Sequence, residues 1–151
     1  MIADSPPTGQ IGSYLRAPVS IAELVASGRI RNQSAWMSEA LANPATTQLA
    51  IVTIAEELPV TETKETLTSL KQQNIVPPPL VIANRVLPQL VDATKPTGIV
   101  GEMTSLHRSI WKDQQDWLGE LPHGLTISYM FGLFTPGEVA AHMSDAIEAL
   151  I

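Results

Sequence analysis

The sequence predicts an α/β fold with a mostly parallel sheet and helices on both faces. Short apolar runs rich in β-branched residues alternate along the chain with amphipathic segments of helical period. Each run is followed by a helical segment, as in βαβ units, whose crossover connections are normally right-handed. Of the 151 residues, 44% are hydrophobic and 16% are charged, so the chain can bury a core.

The first βαβ unit occupies the middle of the chain. Residues 49–54 form a continuous apolar run, typical of a strand covered on both faces. Pro59 suits a first helical turn, and the apolar residues behind it recur at helical spacing to Leu70. A second buried strand is predicted at 80–83.

The second half of the chain repeats this pattern. An amphipathic helix is predicted over 101–118 and a third strand over 125–130. Thr135-Pro136-Gly137-Glu138 is a capping box with proline at the first helical position, so a last helix begins there. Before the first strand, we expect short helices at 21–26 and 34–42. The three tryptophans, Trp36, Trp111 and Trp117, are expected to be core or interface anchors.

Charge and composition exclude several classes of function. The formal net charge is −6 and only nine residues are Lys or Arg, which argues against nucleic acid or an anionic membrane as partner. The absence of cysteine excludes thiol chemistry and thiolate metal sites. No apolar run is long enough to cross a bilayer and no leader-like segment opens the chain, so we expect a cytoplasmic protein.

The opening segment, Asp4-Ser5-Pro6-Pro7-Thr8-Gly9, holds the strongest functional signal. An aspartate at the carboxyl end of a strand can orient water around nucleotide-bound Mg²⁺, and residues 1–3 would form that strand. The alternative is an Asp-initiated turn in which proline and glycine serve backbone geometry alone.

Four motifs in order resemble the ArsA/Get family of anion-transporting and tail-anchored-protein-targeting ATPases, and short bacterial members in particular. Asp4–Gly9 is similar to the switch II motif of the family. Residues 52–63 are similar to the family segment in which a strand is followed by Pro-Glu and then by a helix that begins with Glu-Thr. Residues 81–88 resemble the strand that ends in an adenine-reading asparagine. Residues 133–138 resemble the loop beside the adenine. The resemblance implies a truncated P-loop NTPase-type sheet.

The resemblance also implies roles for seven residues, with ATP and Mg²⁺ as cofactors of the complete enzyme. Asp4 would position the Mg²⁺ shell through water, and Thr8 and Gly9 would form the loop that responds to the γ-phosphate. On the adenine side, the implied residues are Asn84 on the base, Glu56 on the ribose, and Thr135 and Pro136 bordering the base. From the residues alone, Asn84 is equally a strand-end turn residue. For Glu56 the residues favour a solvated loop carboxylate over a ribose contact.

The chain departs from the family pattern upstream of switch II. No Gly-x-x-x-x-Gly-Lys-[Ser/Thr] loop occurs, so the cradle for the β- and γ-phosphates is missing. We therefore expect residues 1–151 to form a single partial domain, the C-terminal part of an ArsA-like ATPase, inactive alone and working as a homo- or heterodimer with an ArsA-like chain. The alternative is a non-catalytic module that pairs with an ATPase partner. A weaker third hypothesis is an unrelated flavodoxin-like domain.

Tail-anchored proteins are not expected as clients of this chain. Residues 19–46 are too few for the client-binding helical subdomain of the targeting factors, and their Cys-x-x-Cys is absent.

Overall fold

The computed structural model describes residues 2–91 and 96–148. The elements are α1 (Thr8–Leu24), α2 (Arg29–Ala42), β1 (Ala50–Ile54), α3 (Glu57–Gln73), β2 (Leu80–Val86), α4 (Gly98–Leu118), β3 (Leu125–Ser128) and α5 (Pro136–Glu148).

The three strands form one parallel sheet in the order β1-β2-β3. β2 and β3 pair with Ile82 opposite Leu125 and Ala83 opposite Thr126, and the register then shifts so that Val86 lies opposite Ser128. The predicted α/β class and parallel sheet are confirmed. β2 runs to Val86, three residues beyond its predicted end, and β3 stops at Ser128, two residues early.

The chain divides into two compact units. The first comprises Met1–Ile51 and Thr61–Leu80, and the second comprises Val52–Val60 and Val81–Ile151. The described part of the first unit contains α1, α2 and most of α3, and that of the second contains α4, β3 and α5.

In the first unit, α1 and α2 pack against each other. α1 begins at Thr8 instead of near residue 21, and it runs through the buried Pro18. A proline interior to a helix costs a backbone hydrogen bond, which is why the sequence did not predict a helix there. The Arg31 guanidinium of α2 donates to the carbonyl oxygens of Ala22 and Val25, at 2.5 and 3.0 Å, and so satisfies acceptors at the end of α1.

In the second unit, the core lies where α4 meets the sheet. Ala55, Ala83 and Val86 are buried together, and Trp117 and Leu118 from the last turn of α4 pack against them. The prediction for Trp117 is therefore confirmed, whereas Trp36 is 66% exposed and is not a core residue.

β1 is covered on alternate residues only. Ile51 and Thr53 are buried, but Val52 between them is 58% exposed. The continuous apolar run of the sequence predicts a strand covered on both faces, and the described chain covers one. β1 is also an edge of the three-stranded sheet.

Candidate functional site

The carboxyl ends of the three strands carry the polar residues of the second unit. Strands β1, β2 and β3 end at Ile54, Val86 and Ser128. Glu56 lies two residues after the end of β1, and Asn84 lies two residues before the end of β2. Thr135 lies seven residues after the end of β3. Because parallel strands present their carboxyl ends at one edge, Glu56 and Asn84 lie at the edge at which open α/β sheets bind ligands.

Glu56 connects β1 to α3. Its N–H donates to the carbonyl oxygen of Ile54 at 2.9 Å, and its own carbonyl oxygen accepts from the N–H of Val60 at 3.0 Å. Glu56 therefore begins the hydrogen-bond ladder of α3, and its side chain is exposed. Backbone geometry fixes the residue and leaves the carboxylate free to meet solvent or a ligand.

Asn84 lies within β2, where the strand becomes irregular. Its Oδ1 accepts a hydrogen bond from the N–H of Arg85 at 2.8 Å. Arg85 has φ of 58°, a left-handed conformation that is uncommon for a residue other than glycine, and the register of β2 against β3 shifts at this point. Asn84 therefore acts as a turn residue near the end of the strand. The side-chain NH₂ has no partner among the described residues, so it remains available as a donor.

Gln114 of α4 stabilises this irregular strand end, and the sequence analysis did not single it out. Its Oε1 accepts from the N–H of Leu87 at 2.8 Å, and its Nε2 donates to the carbonyl oxygen of Arg85 at 3.3 Å. One side chain amide therefore satisfies two backbone groups that the bulge removes from the ladder. The signal in the sequence was a glutamine four residues after Ile110 and three before Trp117, on the apolar side of the helix.

The predicted capping box at the start of α5 is confirmed. The Glu138 Oε2 accepts hydrogen bonds from the N–H and the hydroxyl of Thr135, both at 2.8 Å, and the Glu138 N–H donates to Thr135 Oγ1 at 3.4 Å. The backbone N–H of Thr135, followed by its hydroxyl, lowers the pKa of the Glu138 carboxyl below its ordinary value. Both polar groups of Thr135 are therefore occupied, and Thr135 and Pro136 are left to offer van der Waals surface.

The switch-II-like residues lie in the first unit, and their local structure differs from the prediction. Residues 2–7 form neither helix nor strand, so Asp4 does not end a β-strand. Thr8 and Gly9 open α1 instead of forming a loop. The pair of prolines before Thr8 explains the difference: they prevent strand pairing, and Pro7 has the conformation of a helix N-cap.

The start of α1 offers unpaired backbone donors. No side chain caps it, and no acidic residue occupies its first turn. The first N–H groups of a helix have no partner inside the helix, and the helix dipole places partial positive charge there.

A cleft of about 280 Å³ lies beside this helix start, within the first unit. Its lining is mostly hydroxyl and amide, from Thr8, Gly9, Gly12, Ser13, Glu65, Thr66, Ser69, Leu70 and Gln73. The Gln73 Nε2 donates to Ser69 Oγ at 2.9 Å, whereas its Oε1 is buried without a partner. The cleft can accept a hydrogen-bonding group, but no lysine or arginine lines it.

The predicted site residues include no lysine or arginine. Among the described residues the side-chain NH₂ of Asn84 has no partner, and Thr135 and Pro136 are exposed. For the phosphates, the sequence lacks the lysine loop, and Glu65 adds negative charge to the cleft at α1. Within residues 2–91 and 96–148 no three His, Cys, Asp or Glu side chains gather into a metal site.

A parallel three-stranded sheet with five helices defines the α/β class of protein. Residues 18–99 match the anion-transporting ATPase family (ArsA), and the chain belongs to that family. The matched range includes Glu56 and Asn84. Asp4, Thr8 and Gly9 lie before it, and Thr135 and Pro136 after it.

Mycobacterial proteins are similar to this chain over 58% of its length. ATPase BagA of Mycobacterium tuberculosis (strain H37Rv) is 34% identical over 88 residues, which cover 58% of this chain and 25% of that protein. An ATPase-named protein of Mycobacterium bovis, Mb3704, matches with the same identity and coverage. The matched segment thus spans about a quarter of these relatives. No helix among the described residues is long and apolar enough to cross a membrane.

Proposed function

We propose that this chain provides the switch II and adenine-side part of an ArsA-like ATP site, and that a second polypeptide or a preceding segment provides the phosphate loop. ATP hydrolysis then belongs to the assembled enzyme. The observation that carries the proposal is Asn84, which stands at the carboxyl edge of the sheet inside the family match, with no partner for its NH₂ group among the described residues.

The proposed roles follow the family motifs. Asn84 donates to the adenine edge, Thr135 and Pro136 border the base, and Glu56 approaches the ribose. In the first unit, the free N–H groups of Thr8 and Gly9 at the start of α1 meet the γ-phosphate, and Asp4 orients water of the Mg²⁺ shell. The positive charge that the phosphates need must come from the phosphate-loop lysine of the second polypeptide or preceding segment.

A reconstitution experiment tests this function. The 151-residue chain is titrated with a fluorescent ATP analogue and Mg²⁺, alone and together with the polypeptide that carries the family's phosphate loop in the same organism. We expect no saturable binding by the chain alone and binding at micromolar analogue in the mixture. Tight Mg²⁺-dependent binding by the isolated chain, or none by the mixture, contradicts the composite site.

The second candidate function is a non-catalytic module that pairs with an ATPase chain. It is favoured by β1, an edge strand of the sheet whose central Val52 is 58% exposed. An open strand edge with apolar surface is a template for pairing with another chain. Complex formation with the phosphate-loop polypeptide that persists without nucleotide, and is unchanged by Asn84→Asp, would favour this module over the shared ATP site.

A further inference from the structure

We propose that a second cleft, between residues 89–90 and the middle of α4, binds a small organic anion: a flat apolar body that carries a carboxylate or a phosphate. The proposal is independent of the ATP site. It rests on the shape, the charge and the aromatic wall of this cleft.

The cleft is built by two segments that hydrogen bonds hold together. It has a volume of about 260 Å³ and is lined by Gln89, Leu90, His107, Arg108, Trp111 and Lys112. The His107 Nε2 donates to the carbonyl oxygen of Pro88 at 2.9 Å, and Gln114 accepts from the N–H of Leu87 at 2.8 Å. The segment before Gln89 is therefore attached to α4 at two points. The ring of His107 also lies beside the ring of Phe131, with centroids 6.3 Å apart.

Two cations line this cleft without a described counter-ion. Arg108 and Lys112 are one turn apart on α4, and no carboxylate of the described residues lies within ion-pair distance of either. Like charges at this spacing destabilise a helix slightly. Asp116, one helical turn after Lys112 on α4, does not line the cleft. Since the whole chain has only nine Lys and Arg and a net charge of −6, two cations in one cleft with no counter-ion among the described residues form a local positive site.

The other walls select an apolar body. The half-buried Trp111 ring and the partly exposed Leu90 face the cleft, and the aliphatic stems of the two cations extend the apolar surface. An inorganic ion would leave this apolar surface exposed to water. An aromatic ring with an anionic substituent would bury the surface and place the anionic group against Arg108 and Lys112. The volume is sufficient for a bicyclic aromatic acid and too small for most drug-sized ligands.

The test uses the full chain, with ¹H–¹⁵N NMR as the readout and four probes: 2-naphthoate, 2-naphthyl phosphate, the neutral 2-naphthol, and inorganic phosphate. We expect saturable shifts of the Trp111 indole N–H and of backbone amides at 89–90 and 107–112 with the two naphthyl anions. The preferred anion identifies whether the natural head group is a carboxylate or a phosphate. 2-Naphthol and inorganic phosphate should each bind at least about tenfold more weakly, because the first lacks the anionic group and the second lacks the apolar ring.

Matched variants separate this site from general charge. Arg108→Gln with Lys112→Gln should weaken 2-naphthoate binding about tenfold or more, whereas Arg16→Gln with Lys71→Gln, the same change in net charge on exposed residues of the first unit, should leave it unchanged. Asn84→Asp should also leave it unchanged. Equal binding of 2-naphthol, equal loss in the control pair, or loss in Asn84→Asp would each overturn the proposal, the last by placing the probe in the adenine site. Circular dichroism verifies that each variant is folded.

Discussion

The Gln114 side chain of α4 and the Leu87 backbone N–H are joined by a 2.8 Å hydrogen bond at the end of β2. The same amide donates to Arg85, whose φ of 58° interrupts the strand. The helix and the strand end that carries Asn84 are thus connected through one side chain. The position of the proposed adenine-reading residue therefore depends on a glutamine that lies 30 residues further along the chain.

Gln114→Ala should destabilise the chain by about 1–2 kcal/mol, because it leaves the half-buried Leu87 N–H without an acceptor. Urea unfolding measures the change. The matched control is Gln115→Ala on the next residue of α4, whose side chain has no described partner; it should change stability by less than about 0.5 kcal/mol. Equal effects at the two positions would show that the bond to Leu87 contributes nothing.

Gly124→Ala should destabilise the second unit by about 1–3 kcal/mol, because the added methyl group overpacks the start of β3. A Cβ at Gly124 would lie 2.1 Å from the carbonyl oxygen of Val81, a backbone atom that cannot move aside cheaply. The control is Gly137→Ala in the first turn of α5, where a Cβ meets nothing within 4 Å. There the higher helix propensity of alanine should give a neutral or slightly stabilising effect. A neutral Gly124→Ala would mean that β2 and β3 approach each other less closely than described.

Glu138→Gln should weaken the start of α5 in a pH-dependent way. The folded-state pKa of Glu138 is lowered from an ordinary value near 4.5, so its stabilising contribution is present above that value and is lost as the pH falls through the lowered pKa. Amide hydrogen exchange of the first turn of α5 should therefore differ between wild type and variant at neutral pH and converge in acid. The control is Asp145→Asn in the same helix, because the Asp145 side chain has no described partner. Its exchange in the first turn of α5 should not differ from wild type in a pH-dependent way. A difference that stays constant down to the lowest pH would contradict the role of the carboxylate.

Two substitutions at Asn84 separate its structural and recognition roles. Asn84→Asp keeps an oxygen for the Arg85 N–H but removes the NH₂ donor, whereas Asn84→Ala removes both. In the assembled enzyme we expect both to weaken ATP binding by about tenfold, the value of one lost hydrogen bond to the base.

Stability should distinguish the same pair, because only Asn84→Ala loses the bond that supports the left-handed Arg85. Urea unfolding of the isolated chain measures this. Normal ATP binding by Asn84→Asp would leave the turn as the sole role of the residue.

Periodicity was sufficient for the elements with strong local signals. The β-branched run at β1, the amphipathic stripe of α4 and the Thr135–Glu138 box were predicted from the sequence and are present. Predictions that depended on distant neighbours were less accurate. The helix α1 runs through Pro18, which is buried, and β2 extends past Ala83 because β3 and Gln114 satisfy its last backbone groups.

The candidate site shows the same division. The residue types at 56, 84 and 135–136 follow from the motifs, and the place of Glu56 and Asn84 at the carboxyl edge follows from the parallel topology. The strand expected before Asp4 is absent, because two prolines precede Thr8 and no sheet neighbour for residues 2–7 exists among the described residues.

The sequence by itself determined the α/β class, the family and the lack of a phosphate loop, because each depends on which residues follow one another locally. Only the tertiary structure decided that Asn84 has one side of its amide engaged and the other free, that Gln114 supports the bulge, and that Arg108 and Lys112 share a cleft with Trp111. These depend on backbone groups and side chains that are far apart in the chain and meet only when α4 packs on the sheet.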